Sequence, residues 1–323
     1  MFKTAKPFFL IALSPLHAGS GSELGVIDQP IQRERHTGFP KIEGSSLKGA
    51  IREVFNEYLD KTAKSFADDR VKNLATNLKD IKELSYEDFS EAIDTLFGPD
   101  ENNDRAASLA ITDARLLLFP VKSMKGVFAW ITCRAVLKRF REDFKICENC
   151  KIDWLKGLPA ENTVANLEYL TIEESIILEE YLFNVKCSEY TKTIAAKLES
   201  LGIYDINNRL VILTDDDFSD IVNLSTEVIT RNKINNETGT AQPGALFTEE
   251  YLPTETVMYS LAMASTAYHK KDHESKVFKK NKQEEAILEF FTTFLPTVIQ
   301  VGGNATIGKG LVKTVSWKEV NNA

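Results

Sequence analysis

Residues 28–52 read DQPIQRERHTGFPKIEGSSLKGAIR, and this stretch joins a glycine-rich loop to the start of a helix. The loop begins at Gly19 and leads to a single carboxylate, Asp28. Ser45 and Ser46 are suitable N-cap residues, so the sequence predicts a helix that starts beside them. The apolar residues that follow at helical spacing are Leu47, Ile51, Val54, Phe55, Tyr58 and Leu59.

Two cations in the first turn of this helix are unusual. Lys48 and Arg52 lie four residues apart on one face, near the helix end where the dipole disfavours positive charge. Gly49 between them costs the helix about 1 kcal/mol relative to alanine. Both features fit a bound phosphate, held by backbone N–H groups, two hydroxyls and two cations. A solvated helix start with two ordinary surface cations fits the sequence equally well.

The charge balance restricts the class of partner. The 323 residues carry 39 Lys and Arg against 47 Asp and Glu, a net charge of -8. A negative protein is a poor non-specific nucleic-acid coat, because such binding depends on positive surface. Two local stretches, residues 29–55 and 269–282, are nevertheless positive. The sequence therefore favours a localised basic groove.

The cysteines and the acidic run give no clear metal site. Four cysteines in a chain of this length favour a reducing cytoplasm, and no apolar run is long enough to span a bilayer. We therefore expect a cytoplasmic protein with no membrane contact. The CENC pair Cys147 and Cys150 would need two further ligands to hold zinc, so we expect no metal there. Residues 215–217 are three aspartates, which we interpret as an acidic first helical turn.

Strands and helices alternate along the chain, which indicates an α+β protein with one sheet. We predict a single domain over residues 1–323, with a ferredoxin-like or RRM-like palm and helical insertions at 62–105 and 145–205. The predicted strands are 8–13, 109–119, 127–132, 210–213, 257–262, 297–301 and 311–317. Residues 225–251 alternate in polarity and contain turn-forming residues at their centre, so they predict a projecting β-hairpin. The glycine-rich loop 302–310 carries one lysine, Lys309, and could cradle a phosphodiester backbone.

Several motifs in a fixed order resemble the RAMP superfamily of CRISPR proteins, and more closely the backbone subunits of type III-B Cmr effector complexes. The motifs are HAGSG (17–21), LGVID (24–28), PIQRE (30–34), HTGFP (36–40), GSSLKG (44–49), FPVKS (119–123), TGT (238–240), GALF (244–247), EEYLP (249–253) and the glycine loop 302–310. They span most of the chain, whereas the predicted insertions contribute nothing to the resemblance.

The resemblance implies a right-hand layout of palm, helical fingers and a β-hairpin thumb. It also implies copies stacked head-to-tail on a guide CRISPR RNA, together with other Cmr subunits, around a target single-stranded RNA. Each thumb would displace a nucleotide pair at regular intervals. The residues expected to contact RNA are Ser45, Ser46, Lys48, Gly49, Arg52, Lys41, Arg231, Thr238, Gly303 and Lys309.

By its place in the LGVID motif, Asp28 corresponds to the carboxylate to which the family assigns target cleavage, and His17 and Glu227 are candidate helpers. One carboxylate does not make a two-metal nuclease. We therefore expect attack by the target's own 2′-hydroxyl, with Asp28 as general base or as an anchor for hydrated Mg²⁺ or another divalent cation, an ion the resemblance suggests. The alternative is a non-catalytic RNA-binding scaffold, with a partner that cuts. A weaker third hypothesis is a free-standing metal hydrolase built on His17 and residues 215–217.

Overall fold

The computed structural model describes residues 2, 4–22, 25–62, 85–99, 106–147, 150, 152–200, 202–242, 244–267, 277–278 and 283–317. Its strands are β1 (Thr4–Ala12), β2 (Lys41–Ile42), β3 (Leu109–Ile111), β4 (Ala114–Lys122), β5 (Phe128–Cys133), β6 (Thr163–Val164), β7 (Ser175–Leu178), β8 (Tyr181–Asn184), β9 (Lys186–Cys187), β10 (Leu210–Leu213), β11 (Glu227–Arg231), β12 (Phe247–Tyr251), β13 (Val257–Ala264), β14 (Val298–Gln300) and β15 (Leu311–Ser316). Its helices are α1 (Gly44–Thr62), α2 (Tyr86–Phe97), α3 (Arg134–Phe144), α4 (Leu167–Leu170), α5 (Glu189–Ser200), α6 (Ile206–Arg209), α7 (Asp215–Leu224) and α8 (Gln283–Phe294).

Strand β1 lies inside the main sheet, which has the order β14-β15-β1-β13-β4-β5-β10-β6-β9. Successive side chains of a strand point to opposite faces, and both faces of β1 are covered. Phe8 meets Phe291 of α8 at 5.7 Å between ring centroids, and Phe9 meets Phe140 of α3 at 6.1 Å. A mixed sheet with helices on both faces confirms the predicted α+β class with a ferredoxin-like palm.

Helices α1, α2 and α8 share a phenylalanine-rich core on one side of the sheet. Phe89 of α2 packs edge-on against Phe294 at 4.8 Å, and Phe55 of α1 stacks on Phe291 at 6.3 Å. These side chains are almost completely buried. The apolar face of α1 is thereby fixed, and its opposite face with Ser45 and Gly49 remains exposed.

The two predicted helical insertions have different outcomes. The described part of 62–105 contains α2, and the remainder of that insertion lies largely outside the described residues. The helical insertion predicted at 145–205 contains helices α4 and α5, and the structure corrects its description by placing strands β6 to β9 there as well. Strands β7 and β8 form a hairpin whose turn contains Glu179 at φ 52°. Without a glycine or asparagine there, the usual sequence signal of such a turn is missing.

Residues 225–251 form a hairpin in which β11 pairs antiparallel with β12, outside the main sheet. The tip is closed by a hydrogen bond from the Asn235 N–H to the Thr240 carbonyl at 2.8 Å, and Gly239 adopts φ 68°. Alternate residues of β11 are exposed, and the residues of the tip, 232–241, are mostly exposed. We call this hairpin the thumb. Across the described part of the chain, none of the helices has the length and apolar character needed to span a membrane.

Candidate nucleic-acid interface and active site

Two N-terminal segments cover the outer edge of β12, the edge that faces away from β11. Leu16 and Leu252 exchange backbone hydrogen bonds of 2.9 Å, so residues around 17 follow the end of β12. Gln29 donates to the Thr248 carbonyl and accepts from the Glu250 N–H, each at 3.0 Å. The loop between these segments is closed at its base, where Gly19 pairs with Ile31. Both ends of the glycine-rich loop are therefore held against the thumb.

Asp28 is held at this edge by Thr248. Its Oδ2 accepts hydrogen bonds from the Thr248 N–H at 2.7 Å and the Thr248 hydroxyl at 3.0 Å. Both bonds end on Oδ2, so Oδ1 of this exposed residue remains available to an outside donor. The backbone bond and then the hydroxyl bond lower the pKa of Asp28 below its ordinary 3.8. Asp28 is therefore a fixed, ionised carboxylate at neutral pH.

His17 lies two strand residues further along the same edge. Its Nδ1 is 2.7 Å from the Glu250 carbonyl oxygen, which can only accept, so we assign the proton to Nδ1. In the neutral ring, Nε2 is then an acceptor that faces Gly19. A Cβ on Gly19 would lie 2.7 Å from Nε2. Thr248 and Glu250, the partners of Asp28 and His17, are about 7 Å apart at the ordinary rise of a strand.

Glu227 is the first residue of β11 and pairs directly with Tyr251 of β12. It is half-buried, and burial raises its pKa, an effect that nearby Lys309 opposes. The His17 ring also packs on Tyr251, with centroids 5.5 Å apart. The structure thus brings His17, Glu227 and Asp28 to one strand, with Asp28 at its outer edge and Glu227 across its inner edge.

Glu249, Tyr251 and Asn304 form a buried network beside these residues that the sequence reasoning missed. Arg231 forms an ion pair with Glu249, and Tyr251 donates to Glu249 at 2.5 Å. Asn304, in the glycine loop, donates to Tyr251 at 2.9 Å. The available signal was EEYLP itself, since two adjacent glutamates on opposite faces of a buried strand each need a cation. Arg231 serves Glu249, and Arg33 serves Glu250.

The start of α1 departs from the prediction. The helix begins at Gly44, so Ser45 and Ser46 lie in its first turn and are not its N-caps. Asp113 accepts a hydrogen bond from the Gly44 N–H at 2.9 Å, and its other oxygen pairs with Lys41 at 2.9 Å. A carboxylate of the protein therefore binds the first N–H group of the helix. The sequence could not indicate this partner, which is 69 residues away.

Lys48, on the next turn, donates to the Leu109 carbonyl at 2.8 Å. Burial, and secondarily the nearby Arg52, lower the pKa of Lys48. Gly49 is exposed beside it. Lys41 differs from Lys48 in that its amine is paired with two carboxylates, Asp113 at 2.9 Å and Glu43 at 2.6 Å. Among the predicted RNA contacts, Lys41 is thus neutralised by the protein.

The remaining predicted RNA contacts lie on the thumb and the glycine loop. Thr238 is exposed at the thumb tip, and its hydroxyl is 2.8 Å from that of Thr240. Arg231 is occupied by Glu249 and Tyr251. In the loop, Gly303 donates its N–H to the His17 carbonyl at 3.0 Å, and the Lys309 amine lies 5.1 Å from the centre of the Tyr251 ring.

Comparison with known proteins identifies the family. A model described as "RAMP superfamily" matches residues 9–313. The chain belongs to the RAMP superfamily. It is 35% identical to the "CRISPR system Cmr endoribonuclease Cmr4" of Pyrococcus furiosus, over 97% of this chain and 95% of the relative. It is 24% identical to the "CRISPR system CMR subunit Cmr4" of Saccharolobus solfataricus, with 95% of both chains covered.

Solved structures share the fold of this chain. Oligomeric Cmr4 from Pyrococcus furiosus aligns with a TM-score of 0.66 and 27% identity, over 98% of this chain and 99% of that chain. A chain of the type III-B Cmr-beta complex bound to cognate target RNA aligns with a TM-score of 0.71 at 23% identity, over 98% of both chains. At that identity the second match shows a shared fold.

At the outer edge of β12, the described residues offer a metal ion an exposed carboxylate, Asp28. No three His, Cys, Asp or Glu side chains of the described residues form a group that could hold an ion. Residues 215–217 are the predicted acidic first turn of α7, and Asp215 accepts the Ala135 N–H at 2.8 Å. Cys147 and Cys150 form no disulfide. Asp28, a single exposed hard oxygen donor, suits Mg²⁺ that retains waters and borrows substrate phosphates.

Proposed function

We propose that this chain is a guide-RNA-binding backbone subunit of a type III-B CRISPR effector complex, and that it cleaves guide-paired target RNA at regular intervals. The carrying observation is Asp28, which is exposed, ionised and fixed by Thr248 at the base of the thumb. The 35% identity to a Cmr endoribonuclease supports the same activity. Copies would assemble head-to-tail and with other Cmr subunits, as the oligomeric state of the related Cmr4 suggests.

The guide backbone would lie along the start of α1 and the glycine loop. Ser45, Ser46 and Gly49 present exposed groups on the first turns of α1, and Lys48 and Arg52 add positive charge on one face. The glycine loop contributes its backbone at Gly303 and the amine of Lys309. The remaining proposed contacts are Thr238 at the thumb tip, Lys41 and Arg231. Because Lys41 and Arg231 form ion pairs within the protein, they would support RNA binding mainly through those pairs.

For cleavage, the thumb would distort the target strand toward in-line geometry, and positioning would supply much of the rate. Asp28 Oδ1 accepts the proton of the target 2′-hydroxyl while O2′ bonds to the adjacent phosphorus and the P–O5′ bond breaks. The products are a 2′,3′-cyclic phosphate and a 5′-hydroxyl, whose oxygen takes its proton from a water that donates a hydrogen bond to His17 Nε2. The proton on Asp28 then returns to solvent. Glu227 lies on the opposite side of β12 from Asp28. It would act through its electrostatic interaction with Lys309, a proposed contact of the guide RNA.

As the alternative to its role as general base, Asp28 would hold a divalent cation through Oδ1, with the remaining ligands from water and target phosphate oxygens. Such an ion supplies Lewis-acid stabilisation of the charge that develops on the phosphate. The Asp28 carboxylate itself orients the 2′-hydroxyl, since its lowered pKa keeps it ionised.

Asp28→Asn in the reconstituted guide-containing complex tests the proposal. The amide keeps the size of the side chain but cannot take a proton, so target cleavage should fall at least about 100-fold. Guide and target binding should stay within a factor of two of the unsubstituted complex. Asp216→Asn, an exposed carboxylate on α7, is the matched control and should cut normally. Fragments should carry 2′,3′-cyclic phosphates.

A scaffold without cleavage activity is the second candidate, because each bond between Asp28 and Thr248 could also serve only to tie the loop to β12. In that case Asp28→Asn would cut at the normal rate, and a partner subunit would contain the nuclease.

A further inference from the structure

The hydroxyl of Tyr251 is fully used within the protein. Oη donates its one proton to Glu249 Oε2 at 2.5 Å and accepts from Arg231 Nη2 at 2.7 Å and Asn304 Nδ2 at 2.9 Å. A phenol has one proton and two acceptor positions, so no capacity remains. The side chain is also completely buried. Tyr251 therefore holds neighbouring elements together and does not touch a substrate.

Asn304 is the link between this network and the glycine loop. Its Nδ2 also donates to Glu249 Oε1 at 3.3 Å, so one side chain binds two residues of β12. The loop is joined to the N-terminal segment on either side of Asn304, through Gly303 to the His17 carbonyl at 3.0 Å and through Gly310 to the Pro15 carbonyl at 2.9 Å. Movement of the loop would therefore be transmitted to β12 and to residue 17.

The backbone conformation at Asn304 allows the contribution of its side chain to be tested separately. Its φ of 65° and ψ of 27° are left-handed, a conformation that glycine adopts at no steric cost. The backbone thus does not require asparagine. What the side chain adds to the described structure is its pair of hydrogen bonds to β12.

We propose that Asn304 is a positioning residue that couples guide RNA in the glycine loop to the cutting edge of β12. The inference rests on the proposed function. Strand β12 binds the loop through the side chains of Glu249 and Tyr251, and at its outer edge it binds Asp28 and His17 through Thr248 and Glu250. A guide seated in the loop therefore fixes where the carboxylate of Asp28 meets the target, and so fixes the position of the cut.

Asn304→Gly in the reconstituted complex is the direct test, because it keeps the left-handed backbone and removes both hydrogen bonds. Guide affinity should stay within a factor of two. Target cleavage should slow about 10- to 100-fold and the cut positions should spread to neighbouring phosphates, as expected when a reacting group shifts by about 1 Å. Tyr251→Phe should behave alike, and the double variant should be no slower than the slower single variant. Asp216→Asn, exposed on α7 and outside the loop, should match the unsubstituted complex.

A second readout does not depend on which subunit cuts. Amide hydrogen exchange in β12 should slow when guide RNA binds the unsubstituted protein, and this slowing should be lost in Asn304→Gly. Normal cut positions together with preserved slowing would overturn the coupling, and so would rate losses that multiply in the double variant. Normal cutting by Asp28→Asn would instead reject the proposed nuclease, while the exchange measurement would still decide the role of Asn304.

Discussion

At the outer edge of β12, Asp28 is fixed through one oxygen while the other faces solvent, whereas at the start of α1 the protein satisfies its own groups. There the carboxylate of Asp113 binds both the first N–H group of the helix and the amine of Lys41. Both regions were predicted to meet RNA, yet only the first combines a rigid anchor with an available atom. The difference supports the proposal that the target is cut at the β12 edge, with the α1 start proposed to contribute mainly shape and the charge of Lys48.

The largest effect is expected where the glycine loop meets the β12 edge. In Gly302→Ala, the new Cβ would lie 2.2 Å from the His17 carbonyl oxygen, and φ of 77° would be strained for any side chain. We expect at least about 2 kcal/mol of lost unfolding free energy, measured by chemical denaturation. Gly308→Ala has a similar φ of 75° but open space around its Cβ, so it isolates the backbone cost. Equal losses in the two variants would show that contact with His17 is unimportant.

The next test affects His17 alone. Gly19→Ala would place a methyl group 2.7 Å from His17 Nε2, so the ring must move or lose access to a ligand. Target cleavage should fall about 10- to 100-fold with guide binding unchanged, because only the positioned acceptor Nε2 is lost. The matched control is Gly25→Ala in the same loop, whose φ is not positive and whose new Cβ would make only ordinary contacts, at 3.9 Å or more. Unchanged cleavage in Gly19→Ala would remove His17 from the mechanism.

The same contrast explains what the sequence could predict. The spacing of Leu47, Ile51 and Phe55 predicted the buried face of α1, and all three are buried. Local patterns of this kind arise within a few residues. The bond between Asp28 and Thr248 joins residues 220 apart, and that between Lys41 and Asp113 joins residues 72 apart. No local pattern encodes which distant carboxylate meets a given lysine, so the pairing of Lys41 was missed.

A smaller effect should separate the two lysines of the α1 region. Lys48 contacts a neutral carbonyl and Lys41 contacts two carboxylates, so only Lys48 should present net charge to a phosphate. Lys48→Ala should weaken guide binding and flatten the salt dependence by about 0.7 log units per decade, the value for one lost single-strand contact. Lys41→Ala should leave that slope unchanged. Guide binding by both variants is measured between low and physiological salt. Equal changes in the two salt slopes would contradict the difference expected between Lys48 and Lys41.

The smallest effect concerns Glu227, on the far side of β12 from Asp28. Burial raises its pKa above the ordinary 4.5, so the folded protein disfavours the ionised carboxyl. Its contribution to stability is therefore present below pH 4.5 and is lost as the pH rises through the raised pKa. In Glu227→Gln this loss should disappear, so the variant should gain unfolding free energy over the parent between about pH 4 and pH 7. The gain should stay below about 1 kcal/mol, since the half-exposed group is screened by solvent.

The control for that measurement is Glu237→Gln, which changes an exposed carboxylate at the thumb tip. Its unfolding free energy should follow that of the parent across the same pH range. If the difference in unfolding free energy between Glu227→Gln and the parent does not change with pH, the ionised Glu227 carboxylate does not destabilise the fold. Lys309 would then compensate it fully, because the amine is the nearby charge that opposes the effect of burial. The inner side of β12 would in that case resemble the α1 start, because its charges would be satisfied by the protein. Asp28 would then differ from both regions in keeping an oxygen available to a ligand.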